Sequence, residues 1–304
     1  MNIRKPGAVK IMAYNRLKPK NDFIFKRLFG EQETKESLIS LLNAIMRLEG
    51  IDQIVDLTVI ENKELLKENL DDKTGRLDVR AETKDAMLID VEVQLRNQKN
   101  MVNRTLYYLA KMYTQSISEG QDYTKLKKTV TINILDFNLF MFERFHSTFH
   151  FYEDHEEAML LTDALEVHFV EYPKFKKMKK SLEDPLHRWL LFLDESLQEN
   201  ERKELIEMDP VIRKAEERLE WLSGDAETRQ LYEARKESML ERNTIIAEGR
   251  EEGREEGREE GREEERIATV NHLHRKGHRP EDISELMDLE VEWIKSVLDT
   301  TENF

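Results

Sequence analysis

The sequence predicts an α/β protein with a mixed-sheet core and a helical C-terminal extension. Three observations support this prediction: apolar residues at helical spacing near the start, short segments rich in β-branched residues after them, and helical spacing again from Pro173 onward. The order of helix, three strands, helix and strand, with further strands and helices behind it, is typical of helices packed on a mixed sheet. We place the end of this core near residue 225.

Two stretches before residue 120 have helical spacing. Residues 21–48 have apolar side chains on both sides of Gly30, which predicts two helices or one helix broken at that glycine. Asp22 is the predicted N-cap, because a short polar side chain can accept the first backbone N–H groups of a helix. A further helix is predicted at 101–118. Its predicted apolar side consists of Leu106, Leu109, Ala110, Tyr113 and Ile117.

The predicted strands are short and separated by charged or irregular segments. The second and third strands along the chain are expected to form a hairpin. In chain order, the predicted strands are 54–60, 75–82, 86–95, 130–137, 147–153 and 164–172.

Charge is distributed unevenly along the chain, whose formal net charge is −15. Residues 1–125 contain 21 Lys and Arg against 19 Asp and Glu, a net of +2, whereas residues 126–304 contain 27 against 44, a net of −17. Because binding depends on local potential, a basic groove for DNA in the first part is compatible with this composition.

Composition also narrows the class of protein and its compartment. The absence of cysteine excludes a thiolate zinc site and a cysteine nucleophile, and it favours a reducing cytoplasmic location. No run approaches the roughly 18 apolar residues that a membrane helix needs, so no membrane partner is expected.

The C-terminal part begins as a charged spacer. GREE occurs four times in residues 249–264, and its Glu–Arg pairs offset only part of the cost of helical glycine. Residues 265–304 have helix-turn-helix spacing, but their many acids disfavour DNA contact. We therefore interpret them as a self-association or partner-docking module and predict a homo-oligomer through the C-terminal helices. We therefore predict a core domain at 1–225, a charged helical linker at 226–264 and a small helical module at 265–304.

Alternation in the predicted hairpin places polar side chains on one face. Arg76, Asp78 and Arg80 share a face of one strand, and Asp90, Glu92 and Gln94 share a face of the next. Pairing of the strands could bring Asp78 beside Glu92. The same alternation is typical of an ordinary half-exposed sheet, and Asp90 is interpreted as an exposed strand residue.

Three segments of the chain resemble a known family. LKPKNDFIFKRLFG, GRLDVRAET and MLIDVEVQLR resemble segments of the Rpn family of recombination-promoting nucleases, also described as PD-(D/E)XK-type transposases. The GREE tract and the terminal helices are also similar to that family. The resemblance implies a restriction-endonuclease-like PD-(D/E)XK fold with a helical C-terminal extension.

The resemblance also implies roles for individual residues. Asp78 and Glu92 correspond to the family's acids, Gln94 stands where the broader superfamily has lysine, and Asp22 is an accessory acid or simply a helix cap. Asp78, Glu92 and the Val93 carbonyl would bind Mg²⁺, with Mn²⁺ or Ca²⁺ as alternatives, because these ions prefer oxygen ligands. The implied reaction is phosphodiester hydrolysis by a water whose pKa the metal lowers.

An amide at position 94 can orient a water but supplies no positive charge. Five cations near the motif are candidates to compensate and to bind DNA: Lys26, Arg76, Arg80, Arg96 and Arg104. The first expectation is a metal-dependent DNA endonuclease that promotes recombination or transposition, or acts against mobile DNA. The alternatives are a catalytically weak DNA-binding or regulatory protein acting through its C-terminal oligomerisation module, and a pure interaction protein.

Overall fold

The computed structural model describes residues 16–60, 79–97, 99–156 and 158–302. The chain divides into two compact units, one up to Tyr232 and one from Glu233 onward. The division into three predicted domains remains a prediction. Within the described residues, each helix is too short or too polar to cross a bilayer.

Six strands of the described residues form one sheet in the order β1-β2-β3-β4-β6-β5. β3 pairs with β4 and β4 pairs with β6 in parallel, whereas the other three neighbouring pairs are antiparallel. The strands are β1 (Leu57–Val59), β2 (Val79–Thr83), β3 (Leu88–Gln94), β4 (Thr129–Leu135), β5 (His146–Tyr152) and β6 (Leu160–Glu171). This mixed sheet confirms the predicted fold class, including the β2–β3 hairpin.

The described residues form ten α-helices, of which those of the first unit pack on the sheet and a long one continues into the second unit. They are α1 (Asp22–Phe29), α2 (Lys35–Met46), α3 (Met101–Thr114), α4 (Tyr172–Lys177), α5 (Pro185–Phe192), α6 (Glu199–Met208), α7 (Pro210–Gly224), α8 (Ala226–Arg275), α9 (Pro280–Met287) and α10 (Val291–Glu302). The GREE tract lies within α8, and a small apolar cluster around Val270, Ile283 and Ile294 joins the end of α8 to α9 and α10.

The main core lies on one face of the sheet, beneath α1, α2 and α5 to α7. Leu38, Leu41 and Trp189 are fully buried there, together with apolar side chains of β3 and β4. The other face is covered by α3 and carries a smaller apolar cluster around Leu109 and Phe169. β3 is therefore covered on both faces, which accounts for burial of its first five residues.

The prediction that Asp22 caps α1 is wrong. Asn21 is the N-cap, and its side chain accepts hydrogen bonds from the N–H groups of Phe23 and Ile24. Asp22 is the first helical residue, and its Oδ1 accepts from Phe23 N at 2.8 Å. Both residue types serve as N-caps, so the sequence offered two adjacent candidates.

The prediction of which residues form the buried side of α3 is also wrong for most of them. The buried residues are Met101, Thr105, Leu109 and Met112, whereas Leu106 is 46% exposed. The face that meets the sheet includes a threonine that bonds to a polar sheet residue, so apolar spacing alone could not identify it.

Candidate active site

Two carboxylates lie in the buried centre of β3. Asp90 is 3% exposed and Glu92 is 4% exposed, because β3 has strand neighbours on both sides and helices over both faces. The interpretation of Asp90 as an exposed strand residue is therefore wrong. A buried carboxylate needs a cation or hydrogen-bond donors, and both acids have such partners here.

Two side chains of the described residues donate to the same oxygen of Glu92. Its Oε1 accepts a hydrogen bond from Gln94 Nε2 at 2.6 Å and from Arg104 Nη2 at 2.7 Å. The Arg104 side chain is 10% exposed and that of Glu92 is 5% exposed. Gln94 lies two residues along the same strand, on the same face, as the sequence alternation predicted.

Asp90 forms a second ion pair one position along the same face. Its Oδ1 accepts from Arg80 Nε at 3.0 Å, and the two residues are direct partners in the β2–β3 register. Arg80, a candidate DNA-binding cation, is thus already bound to an acid of the hairpin. Such a cross-strand pair stabilises the hairpin register beside Glu92.

The first turns of α3 are bonded to the sheet next to Glu92. Thr105 Oγ1 donates to Asn133 Oδ1 at 3.1 Å, and Asn133 Nδ2 donates to the His168 carbonyl at 3.1 Å. Asn133 is also the β4 partner of Glu92 in the parallel register. The sequence analysis missed Thr105 and Asn133, although an asparagine inside the apolar run TVTINIL was an available signal.

A lysine that the sequence analysis did not single out lies near the end of β3. Lys20 is 5% exposed, and its Nζ donates to Asp136 Oδ1 at 3.0 Å and lies 4.0 Å from the ring centroid of Tyr172. Asp136 N donates in turn to the Gln94 carbonyl at 2.9 Å. Lys20 and Asp136 therefore extend the polar set at the end of β3 where Gln94 lies.

The structure describes four of the remaining predicted site residues, and two lie outside the described ranges. Asp22, Lys26 and Val93 are half-buried, and Arg96 is exposed. Asp78 and Arg76 lie outside the described residues. Within the described ranges, no group of three or more His, Asp or Glu side chains is placed to hold a metal ion. We therefore base the proposed cation site on the buried carboxylate of Glu92.

A separate chain of titratable side chains links β5 and β6. His146 Nε2 lies 3.0 Å from His168 Nδ1, and His168 Nε2 lies 2.7 Å from Glu166 Oε1. Burial, followed by repulsion from His168, lowers the pKa of His146 to about 4. Burial acts to raise the pKa of Glu166, but hydrogen bonds from His168 and Lys128 outweigh it and hold that pKa at about 2.

Comparison with known proteins gives one family. Residues 19–249 match the family model described as PD-(D/E)XK nuclease family transposase. This range includes α1, the whole described sheet and the β2–β3 hairpin. Searches of curated proteins and of solved structures gave no match.

Proposed function

The chain belongs to the PD-(D/E)XK nuclease family transposases, and from this premise we propose that it is a metal-dependent DNA endonuclease that promotes recombination or transposition. The observation that supports the proposal is the buried Glu92 carboxylate on β3, which accepts hydrogen bonds from Arg104 and Gln94. A carboxylate in this low-dielectric position is retained at a cost, which favours a functional role.

The donor chemistry of the site fits an oxygen-preferring divalent cation. Glu92 and the Val93 carbonyl, with Asp78, would hold Mg²⁺, with Mn²⁺ or Ca²⁺ as alternatives, and Asp22 would be an accessory ligand. Asp78 lies outside the described residues but directly precedes Val79, whose register partner Val91 directly precedes Glu92. When bound, the ion would activate a water and neutralise charge on the scissile phosphate.

The protein's own residues would prepare the phosphodiester for hydrolysis. In the reaction a water oxygen bonds to phosphorus, the bond from phosphorus to a sugar oxygen breaks, and that oxygen gains a proton. Gln94 would orient the water through its amide, which now donates to Glu92. Lys26, Arg76, Arg80, Arg96 and Arg104 are the proposed DNA-binding cations.

The proposal predicts metal-dependent cleavage that depends on the two acids. Purified wild-type protein with Mg²⁺ should nick or cut plasmid DNA, and Asp78→Ala and Glu92→Ala should each lower the rate by about 100-fold or more, because each removes a metal ligand. Gel electrophoresis of the plasmid measures the rate. The matched control is Glu82→Ala on the same hairpin, whose carboxylate pairs with Lys127 at 2.7 Å. Equal rates in wild type and both acid variants would refute the assignment.

A second candidate function is a catalytically weak protein that binds DNA through the same fold. Gln94 in the lysine position favours it, because an amide supplies no positive charge to the phosphate. DNA binding without metal-dependent cleavage in the plasmid assay would support this candidate over the first.

We further propose that the helices of the second unit mediate homo-oligomerisation. α8 exposes apolar side chains that a lone solvated helix would not require, including Leu240 at 57% and Ile245 at 63%. Deletion of residues 233–304, which removes Leu240 and Ile245 with the rest of the second unit, should then abolish self-association in light scattering. A truncated protein of unchanged oligomeric mass would contradict this role.

A further inference from the structure

Arg104 reaches the site from a different element than the motif hairpin. Its guanidinium and the Gln94 amide donate to the same oxygen of Glu92, at 2.7 and 2.6 Å. Gln94 is neutral, so of these two donors only Arg104 brings charge. This inference rests on the proposed function, because it assumes that Glu92 is a ligand of the divalent cation.

We propose that Arg104 supplies the positive charge that Gln94 lacks, and that it competes with the divalent cation for Glu92. Without a bound cation, the Arg104 guanidinium neutralises the Glu92 carboxylate. With that oxygen bound to a cation, the guanidinium would donate to a DNA phosphate instead. Arg104 is thus a phosphate-binding residue whose availability is coupled to cation binding.

Burial and donor number make this exchange physically reasonable. The two side chains are 10% and 5% exposed, so the pair is poorly solvated and Glu92 needs a positive partner at all times. A guanidinium has five N–H donors arranged to match two phosphate oxygens, so it can give up one bond to Glu92 and form two to a phosphate.

The position of α3 holds Arg104 in reach of the site. The adjacent Thr105 bonds to Asn133, which is the β4 partner of Glu92. The helix is further anchored by buried Met101 and Leu109. These contacts anchor the helix backbone, so we expect the exchange to involve movement of the Arg104 side chain.

Other candidate cations have different surroundings. Arg80 is bonded to its register partner Asp90, and Arg96 is exposed after the end of β3. Lys20 donates to Asp136. Among the candidate cations within the described ranges, Arg104 has a hydrogen bond to Glu92.

Isothermal titration of the full-length protein with MnCl₂ or MgCl₂, without DNA, tests the exchange. Arg104→Gln and Arg104→Met should each bind the cation about tenfold more tightly than wild type, because a competing charge-assisted hydrogen bond is removed. Lys111→Gln, an exposed cation on the same helix, should leave the affinity unchanged. With Ca²⁺ present, the two Arg104 variants should bind a short DNA duplex about tenfold more weakly by fluorescence anisotropy.

If Arg104 had a purely structural role, its replacement would not increase the affinity for the cation. Unchanged or weaker cation binding in the Arg104 variants would overturn the inference, and so would failure of both to fold at saturating cation, judged by circular dichroism. Glu92→Gln separates this inference from the proposed function. If that variant binds the cation as wild type does, the proposed function fails; if it binds more weakly while the Arg104 variants match wild type, only the exchange fails.

Discussion

At the scale of single residues, the linked side chains of His146, His168 and Glu166 make the free energy of unfolding depend on pH. The pKa of His146 is about 4 in the folded protein, against about 6.5 when unfolded. The unfolded chain therefore binds more protons between these pH values, and stability falls as pH is lowered through that window. Glu166, whose pKa is about 2 in the folded protein against an ordinary value of 4.5, adds a further loss of stability as pH falls between those two values.

We predict that the free energy of unfolding falls by on the order of 2 kcal/mol between pH 7 and pH 4.5 through His146. His146→Gln should lack this part of the decline, because glutamine does not titrate. Urea denaturation at several pH values measures it, with the exposed His155→Gln as control. Identical pH slopes for wild type and His146→Gln would show that His146 does not control the decline.

At the scale of elements, Gly30 sets how closely α1 approaches the hairpin. A Cβ at this position would lie 2.8 Å from the Lys26 carbonyl oxygen and 3.2 Å from Val79 Cγ2. Gly30→Ala should therefore lower the free energy of unfolding by roughly 1–3 kcal/mol, because backbone and sheet must shift to admit a methyl group. Thermal or urea unfolding measures this change.

An alanine at a glycine of α8 provides the contrast. Among the described residues, nothing lies within 4 Å of a Cβ at Gly253. Gly253→Ala should therefore stabilise α8 by up to about 1 kcal/mol through helix propensity alone. Equal effects at Gly30 and Gly253 would mean that the close approach of α1 to β2 has no energetic consequence.

The elements could be predicted from sequence wherever one physical pattern dominated. β-branched segments and charged turns located the hairpin, and helical spacing on both sides of Gly30 located α1 and α2. The buried side of α3 could not be predicted, because Thr105 there satisfies its hydroxyl with Asn133 on a strand 28 residues away. Alternation likewise placed Asp90 on a face but could not show that a helix covers that face.

At the scale of the whole molecule, the site depends on contacts between distant parts of the chain. Asp78 and Glu92 were predicted as metal ligands from their local pattern and family resemblance, and their role stays a prediction. The Arg104–Glu92 and Lys20–Asp136 pairs span 12 and 116 residues, so no local pattern could predict them. The acidic balance of the chain lies largely beyond the motif hairpin, in residues 126–304. Overall charge therefore gives little information about the potential at the site.

The central claim is that Glu92 and Asp78 hold a divalent cation at the motif hairpin. X-ray diffraction from crystals grown with Mn²⁺, recorded at the manganese absorption edge, tests it most directly. We predict an anomalous peak about 2.0–2.2 Å from an oxygen of Glu92, with a carboxylate oxygen of Asp78 as a second ligand. Manganese bound elsewhere, with Glu92 still bonded only to protein donors, would contradict the account.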